Sequence, residues 1–297
     1  MNYVGTCSWT DSTLIGESGF YPAKTMSAEE RLRFYASKFN TVEVDSPFYA
    51  LPSEAVVALQ TARTPADFKL NYKAYGMLTT HSVETRSLPK AMRDIFPASL
   101  LDKPRLSYSD VPEEARSLAF RMFSSALKPA AAAGKLGCVV FQFPPWFSYG
   151  SKSLGHVERC RDELPEYELA IEFRNPGWLD SERRAETMRF LSERSLAYVS
   201  VDEPQFDEPK TVPPIFEATT GTAYVRLHGR NKEAWFKKGL TAAERFAYDY
   251  SQGELFEIAG RIKPLAKSAD KTFVMFNNCF RDYAVNNAMI MSEILKD

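Results

Sequence analysis

Eight short apolar segments recur along the chain, each stopped by polar or turn-forming residues, and this repetition limits the fold more than any other feature. They are "YVGTCSW" (3–9), "TVEVDS" (41–46), "FKLNYK" (68–73), "CVVFQF" (138–143), "LAIEFR" (169–174), "AYVSVD" (197–202), "AYVRLHG" (223–229) and "TFVMFN" (272–277). Helix-like stretches fill most of the intervals: "SAEERLRFYASKF", "SEAVVALQTAR", "PEEARSLAFRMFSSALKPAAAA", "SERRAETMRFLSERS", "GELFEIAGRIKPLAK" and "NNAMIMSEILKD". Strand alternating with helix implies parallel βαβ units. Eight such units in 297 residues predict an α/β fold, a single TIM-like (β/α)8 barrel domain over 1–297. A doubly wound open sheet is the competing arrangement, but no GxGxxG turn follows the first strand. Residues 82–111, "SVETRSLPKAMRDIFPASLLDKPRLSYSDV", are the one long excursion. They form a predicted insertion leaving the C-terminal end of the third strand beside the barrel mouth, as a binding loop or as a surface decoration.

The formal charge is −1 with 44% hydrophobic residues. This argues against a broadly basic nucleic-acid coat and leaves room for a local patch. Cys7, Cys138, Cys160 and Cys279 form no CxxC pair, so reduced thiols of a cytoplasmic protein are expected rather than a disulfide framework. The N-terminal "MNYVGTCSW" has no basic region followed by a long apolar run, and no segment approaches a membrane span.

The polar positions of the strands carry the functional signal. Side chains alternate between the two faces of a strand. Val42 and Val44 oppose Glu43 and Asp45; Phe68, Leu70 and Tyr72 oppose Lys69, Asn71 and Lys73; Ile171 and Phe173 oppose Glu172 and Arg174. In the sixth strand Val199 and Val201 oppose Ser200 and Asp202, in the seventh Val225 and Leu227 oppose Arg226 and His228, and the eighth ends with Asn277 opposite Phe276. Helices cover the outside of a parallel barrel, so outward residues are expected to be apolar and the polar set to face the lumen. Branched aliphatics fill most such lumens. A dense inward cluster of charges is therefore either an internal ion-pair lattice or a ligand site at the C-terminal mouth. Lys69 lies deeper than Lys73 and is expected to be structural.

At these residues the sequence resembles a known family. "GTCSW", "TVEVDSPFY", "FQFPP", "IEFRNPGW", "VDEP", "YVRLHG" and "FNN" are similar to the signature segments of the YecE-like family, also called domain of unknown function seventy-two. The resemblance implies a TIM-like barrel and, through a suggested relation to endonuclease IV-like barrels, nucleic-acid binding. Its characteristic positions fall on Trp9, Glu43, Ser46, Tyr49, Lys73, His81, Gln142 and Glu172. They continue with Arg174, Trp178, Asp202, Arg226, His228, Gly229, Asn277 and Asn278. Cys7, Asp45 and Asn175 depart from its usual residues, as does the insertion after His81.

Three chemistries fit these residues. In a metal-assisted phosphodiesterase, Glu43, Glu172, Asp202, His81 and His228 are candidate ligands of at most one divalent ion, while Arg226, Arg174 and Lys73 clamp phosphate oxygens. The chain has only three histidines, which speaks against a multi-zinc cluster, and no metal is the preferred expectation. In a two-carboxylate, glycosidase-like hydrolase, Glu43 and Glu172 act as acid and base, with Trp9, Tyr49, Trp146 and Trp178 as stacking surfaces. In a binding module without turnover, Lys73, Arg174, Arg226 and His228 hold an anionic small molecule or a nucleic-acid phosphate, and the aromatics stack on bases or sugars. The leading expectation is a hydrolase-like protein acting on a phosphate-bearing ligand. Its acid/base candidates are Glu43, Glu172, His228 and Asp202, with Gln142, Asn277 and Asn278 positioning the ligand.

Overall fold

The computed structural model describes residues 1–296. Its eight long strands are β1 (Asn2–Thr6), β2 (Thr41–Val44), β3 (Lys69–Lys73), β4 (Leu136–Gln142), β5 (Leu169–Glu172), β6 (Ala197–Asp202), β7 (Thr222–Leu227) and β8 (Lys271–Phe276). They pair in the order β1-β8-β7-β6-β5-β4-β3-β2, every pair parallel. The remaining seam, β1 to β2, is joined by a parallel bridge between Cys7 and Glu43, where the Ser8 N–H donates to the Glu43 carbonyl at 2.8 Å. The result is the nearly closed TIM-like barrel that eight repeated strands predict.

Two residues make this seam possible. A Cβ on Gly5 would lie 2.2 Å from the Thr41 carbonyl oxygen, so only glycine lets the two backbones approach this closely. The buried Tyr35 hydroxyl accepts from the Thr6 N–H at 2.8 Å and donates to the Thr41 carbonyl at 3.2 Å. Tyr35 sits on the first outer helix, α1 (Ala28–Ala36), whose N-terminus is fixed by a Ser27–Glu30 capping box.

The other outer helices are α2 (Glu54–Ala62), α3 (Glu113–Ala132), α4 (Ser151–Glu163), α5 (Arg184–Glu193), α6 (Gln252–Ser268) and α7 (Tyr283–Ile294). Helix α4 carries His156 outside the mouth; only its Val157 and Cys160 are buried, a narrow apolar stripe. Residues 203–221, between β6 and β7, form no helix at all.

Neighbours in register on parallel strands share a face, so the pairing assigns each side chain to lumen or helix layer. Glu43 pairs with Asn71, Gln142 with Glu172, Arg226 with Met275, and Tyr224 with Phe273; all of these face inward. The expectation for β6 is overturned. Val199 pairs with Tyr224 and Val201 with Arg226, so the valines enter the lumen, while Ser200 and Asp202 point outward. The premise of an apolar outer face fails here because the loop 203–221 runs along this strand and meets its polar groups. The Ser200 hydroxyl accepts from the Glu217 N–H at 3.3 Å, and Thr219 Oγ1 accepts from the Tyr198 N–H at 2.8 Å.

Residues 82–111 fold into a two-strand antiparallel ribbon (Val83–Glu84 with Arg105–Leu106) and short helical turns. Val83, Leu88, Met92, Phe96, Leu106 and Val111 are buried. The Tyr108 hydroxyl lies 3.2 Å from His156 Nδ1 on α4, and Arg116 of α3 donates to the Tyr108 carbonyl at 3.0 Å. This segment is thus packed against the outer helices. Lys69 reaches the Gly134 carbonyl at the end of the barrel opposite the mouth.

Candidate functional site at the barrel mouth

Arg226 is the hub of the lumen. Its side chain is completely buried, donating from Nη2 to Glu43 Oε1 at 2.7 Å and from Nη1 to Glu172 Oε2 at 2.5 Å. Nη1 also donates to Gln142 Oε1 at 2.7 Å. The Tyr224 hydroxyl caps the other oxygen of Glu43 at 2.8 Å. Glu172 Oε1 accepts from Arg174 Nη1 at 3.0 Å and lies 3.1 Å from His228 Nε2. Three other strands, β2, β4 and β5, therefore converge on one guanidinium, which a ring of parallel strands permits and a linear sequence does not display.

The two carboxylates sit in opposite electrostatic situations. Burial raises Glu43 to about 7, because Arg226 is shared with a second carboxylate and Asp45 adds negative charge. Burial also works against Glu172, but Arg226, His228 and Arg174 together hold it well below the ordinary carboxylate range. His228 is driven down to about 3 by burial, which outweighs Glu172. An ionised carboxylate only accepts, so Nε2 carries the ring proton. Nδ1 then accepts from Asn277 Nδ2 at 2.8 Å. His228 is neutral, with its tautomer fixed from both sides.

Above this lattice the mouth opens. Arg174, 13% exposed, bridges Glu172 and Glu203: its Nη2 stands 3.0 Å from Glu203 Oε2, without the alignment of a hydrogen bond. Trp235 covers the guanidinium at 5.2 Å. Across the mouth, Lys73 Nζ makes no hydrogen bond to any described residue. Its nearest carboxylate oxygen, Asp45 Oδ1, is 3.9 Å away, and its charge lies over the Phe48 ring at 4.7 Å. His81 stands edge-on to Phe48 and Trp146, with centroids 4.9 and 5.6 Å away. Its Nδ1 lies 2.9 Å from Thr79 Oγ1, and burial with Lys73 nearby lowers it to about 4. Trp146 and Tyr49 stand on this side with most of their surface exposed. Trp9, at the end of β1, is buried with its Nε1 unpartnered among the described residues.

The structure thus gathers Glu43, Glu172, His228, Arg226, Gln142, Asn277, Arg174, Lys73 and His81 at one end of the barrel. Three residues expected there lie elsewhere. Asp202 holds Arg230 through Nε at 3.0 Å and Nη2 at 2.7 Å, and accepts from Tyr250 at 2.7 Å, all on the helix side of β6. Trp178 is fully buried, stacked 4.0 Å from Phe173, with Nε1 donating to the Phe147 carbonyl at 2.7 Å. Asn278 is turned away and donates to the Tyr248 carbonyl and to Asn287 Oδ1. Each follows from strand parity or aromatic packing, which residue type alone does not reveal.

Other site residues were not singled out by sequence. Tyr224 has the parity of Arg226 and His228, a signal that was present. Glu203 follows a strand whose polarity is inverted. Trp235 and Phe246 come from the segment 229–250, and their ring centroids are 6.5 and 5.8 Å from that of His228. Only the aromatic density of "AWFKKGLTAAERFAYDY" marks it. Among the described residues no three His, Cys, Asp or Glu side chains gather as a metal ion requires, and no helix is long and apolar enough to cross a membrane. Cys279 Sγ donates to the Cys7 carbonyl at 3.1 Å, which places the Cys279 thiol against the backbone at the end of β1.

Residues 3–297 match the family described as "Protein of unknown function DUF72". The chain is 30% identical over 299 residues to the UPF0759 protein YunF of Bacillus subtilis (strain 168), covering 99% of this chain and 95% of the relative. Among solved structures, a DUF72 family protein from Thermotoga maritima MSB8 superposes with a TM-score of 0.77 at 27% identity, each chain fully covered. One from Enterococcus faecalis V583 superposes with a TM-score of 0.80 at 23% identity, covering 100% of this chain and 96% of the other.

Proposed function

This chain belongs to the DUF72 family, and from the geometry of its barrel mouth we propose that it binds there an anionic ligand carrying a ring, such as a phosphate ester of a nucleoside or sugar, nucleic acid included. The observation that carries this reading is Lys73, whose side chain is 12% exposed at the mouth and meets its one nearby carboxylate, Asp45, only at 3.9 Å. Its other neighbour is the Phe48 ring, so its ammonium protons are left for a ligand to accept. Arg174 offers a second positive group across the mouth, already oriented by Glu172 and Trp235. Tyr49 and Trp146 supply exposed ring faces of the kind that stack on bases or sugars.

Arg226 has a different part from that of a phosphate clamp. It is sealed beneath the mouth and its two terminal nitrogens are taken by Glu43, Glu172 and Gln142. It holds the floor in place. Glu43 and Glu172 likewise have all four oxygens engaged, which weakens their candidacy as an acid/base pair. Hydrolysis is the second reading, and one observation favours it: Glu203, pushed up to about 7 by burial despite Arg174, lies beside the ionised Glu172. A carboxyl near neutrality next to one held ionised is the environment pair that acid–base catalysis uses.

Thermal-shift and calorimetric titrations against nucleoside monophosphates, sugar phosphates, short single-stranded oligonucleotides and neutral oligosaccharides test the proposal. Phosphate-bearing probes are expected to stabilise the protein. Lys73→Met is expected to weaken them about 10- to 100-fold, the equivalent of one charge-assisted hydrogen bond. Stabilisation by neutral sugars alone, or undiminished affinity in Lys73→Met, overturns it.

A further inference from the structure

We propose that Arg174 and Glu203 form a proton-coupled anion site, in which an entering anion takes over Arg174 and Glu203 gains one proton from solvent as its ion pair is lost. This rests on the anion-binding reading and goes beyond it by stating which charge change accompanies binding.

The argument begins with the charges of the cluster. Three cations, Lys73, Arg174 and Arg226, face four carboxyls, Glu43, Glu172, Asp45 and Glu203. With all of them ionised the cluster carries one negative charge, and an anion entering a poorly solvated mouth is opposed by it. A proton on one carboxyl removes that opposition.

The contacts select which carboxyl accepts it. Glu43 receives Arg226 and Tyr224, and Glu172 receives Arg226 and Arg174, with His228 Nε2 beside it. Asp45 also has one buried oxygen, Oδ1, that accepts no hydrogen bond, but its side chain is 24% exposed, so solvent reaches it and offsets the loss of a cation. Glu203 is different. Its side chain is 1% exposed, its Oε1 accepts only the Val212 N–H at 2.9 Å, and its Oε2 accepts no hydrogen bond. That oxygen depends on the Coulombic attraction of Arg174 alone. Other groups around it oppose ionisation, are committed elsewhere or make no hydrogen bond to it. Glu172 of β5 and Asp202 of β6 are negative neighbours, the buried Tyr198 hydroxyl of β6 has no partner, and Arg230, beyond β7, is bound to Asp202. His228 of β7 stays neutral. Once an anion competes for Arg174, the Glu203 carboxylate is left buried without its one cation, and protonation removes that cost. The reaction is a carboxylate plus a solvent proton giving a carboxylic acid.

Sulfate is the probe, because it stays fully ionised between pH 6 and 9 and brings no proton of its own. Isothermal calorimetry at pH 8, in two buffers of different ionisation enthalpy, counts protons taken up per sulfate bound. The expected result is an uptake of about half to one proton, with affinity falling as pH rises from 7 to 9, by up to about tenfold per pH unit. In Glu203→Gln, which keeps an acceptor for the Val212 N–H, the uptake is expected to vanish and the affinity to become flat with pH. Wild-type binding without proton uptake, or uptake that persists in Glu203→Gln, overturns this inference and leaves the anion reading standing. Absence of any sulfate binding between pH 6 and 9 overturns both.

Discussion

Arg226→Met is expected to cost about 3–5 kcal/mol of folding stability, a large part of the roughly 5–15 kcal/mol that holds a folded domain together. The reason is the two carboxylates it leaves behind. Glu43 and Glu172 are both fully buried and meet on this guanidinium. Methionine fills much of the volume and supplies no donor. The cost should depend on pH with a definite sign. In the wild type Glu172 is held low, so its stabilisation is present above the unfolded-state carboxylate pKa and is lost as pH falls toward the folded one. Glu43, already raised to about 7 in the wild type, loses stabilisation as pH climbs through that value. In Arg226→Met both carboxylates must be protonated to stay buried: Glu43 rises further and Glu172 rises above its unfolded value, so stability is lost more steeply as pH increases. The deficit against wild type should therefore shrink between pH 8 and pH 5. Urea unfolding at both values measures it, with an unchanged m-value expected. Adding Glu43→Gln and Glu172→Gln to Arg226→Met should restore part of the loss. A triple variant less stable than Arg226→Met would show that the lattice is not the source of the cost.

Gly5→Ala is expected to be about as damaging, at roughly 3 kcal/mol or more, at the upper end of overpacking effects. The atom in the way is the Thr41 backbone oxygen, 2.2 Å from the new Cβ, and a backbone carbonyl has no alternative rotamer. The seam must widen, which pulls on the Tyr35 bridge between Thr6 and Thr41 and on the Cys7–Glu43 bridge. Since Glu43 is the partner of Arg226, strain at the seam is transmitted to the mouth floor. Hydrogen exchange should locate the effect: the amides of Thr6 and Ser8 are expected to lose protection in Gly5→Ala while those of β5 and β6 keep theirs. Uniform loss of protection, or none, contradicts a seam-specific mechanism.

Both predictions concern the layer under the mouth, and that layer separates the structural role of the charges from the ligand-facing one. The sequence offered two explanations for a polar lumen, an ion-pair lattice or a ligand site. The structure contains the first as a floor beneath the residues that suit the second. Arg226, Glu43 and Glu172 bind one another out of contact with water. Lys73, Arg174 and Glu203 sit higher, where their pairing is incomplete.

How much of this was legible follows from what periodicity encodes. Period-two alternation with intervening helices fixed the strand count and the parallel barrel, because a strand covered by a helix must be apolar on that side. The same rule correctly placed Glu43, Glu172, Arg226, His228 and Asn277 in the lumen. It failed at β6, where a loop with its own polar backbone runs along the strand, so Ser200 and Asp202 were free to point outward and Glu203 became the inward carboxyl. It also could not distinguish Trp178, locked in an aromatic stack, from Trp146, which stands in solvent. The chain alone thus determined the fold and most of the residues that meet in the lumen, since both are consequences of local alternation. Only the tertiary structure decided which charges saturate one another and which remain available, because that depends on strand stagger and on distances between groups far apart in sequence, such as the 183 positions separating Glu43 from Arg226.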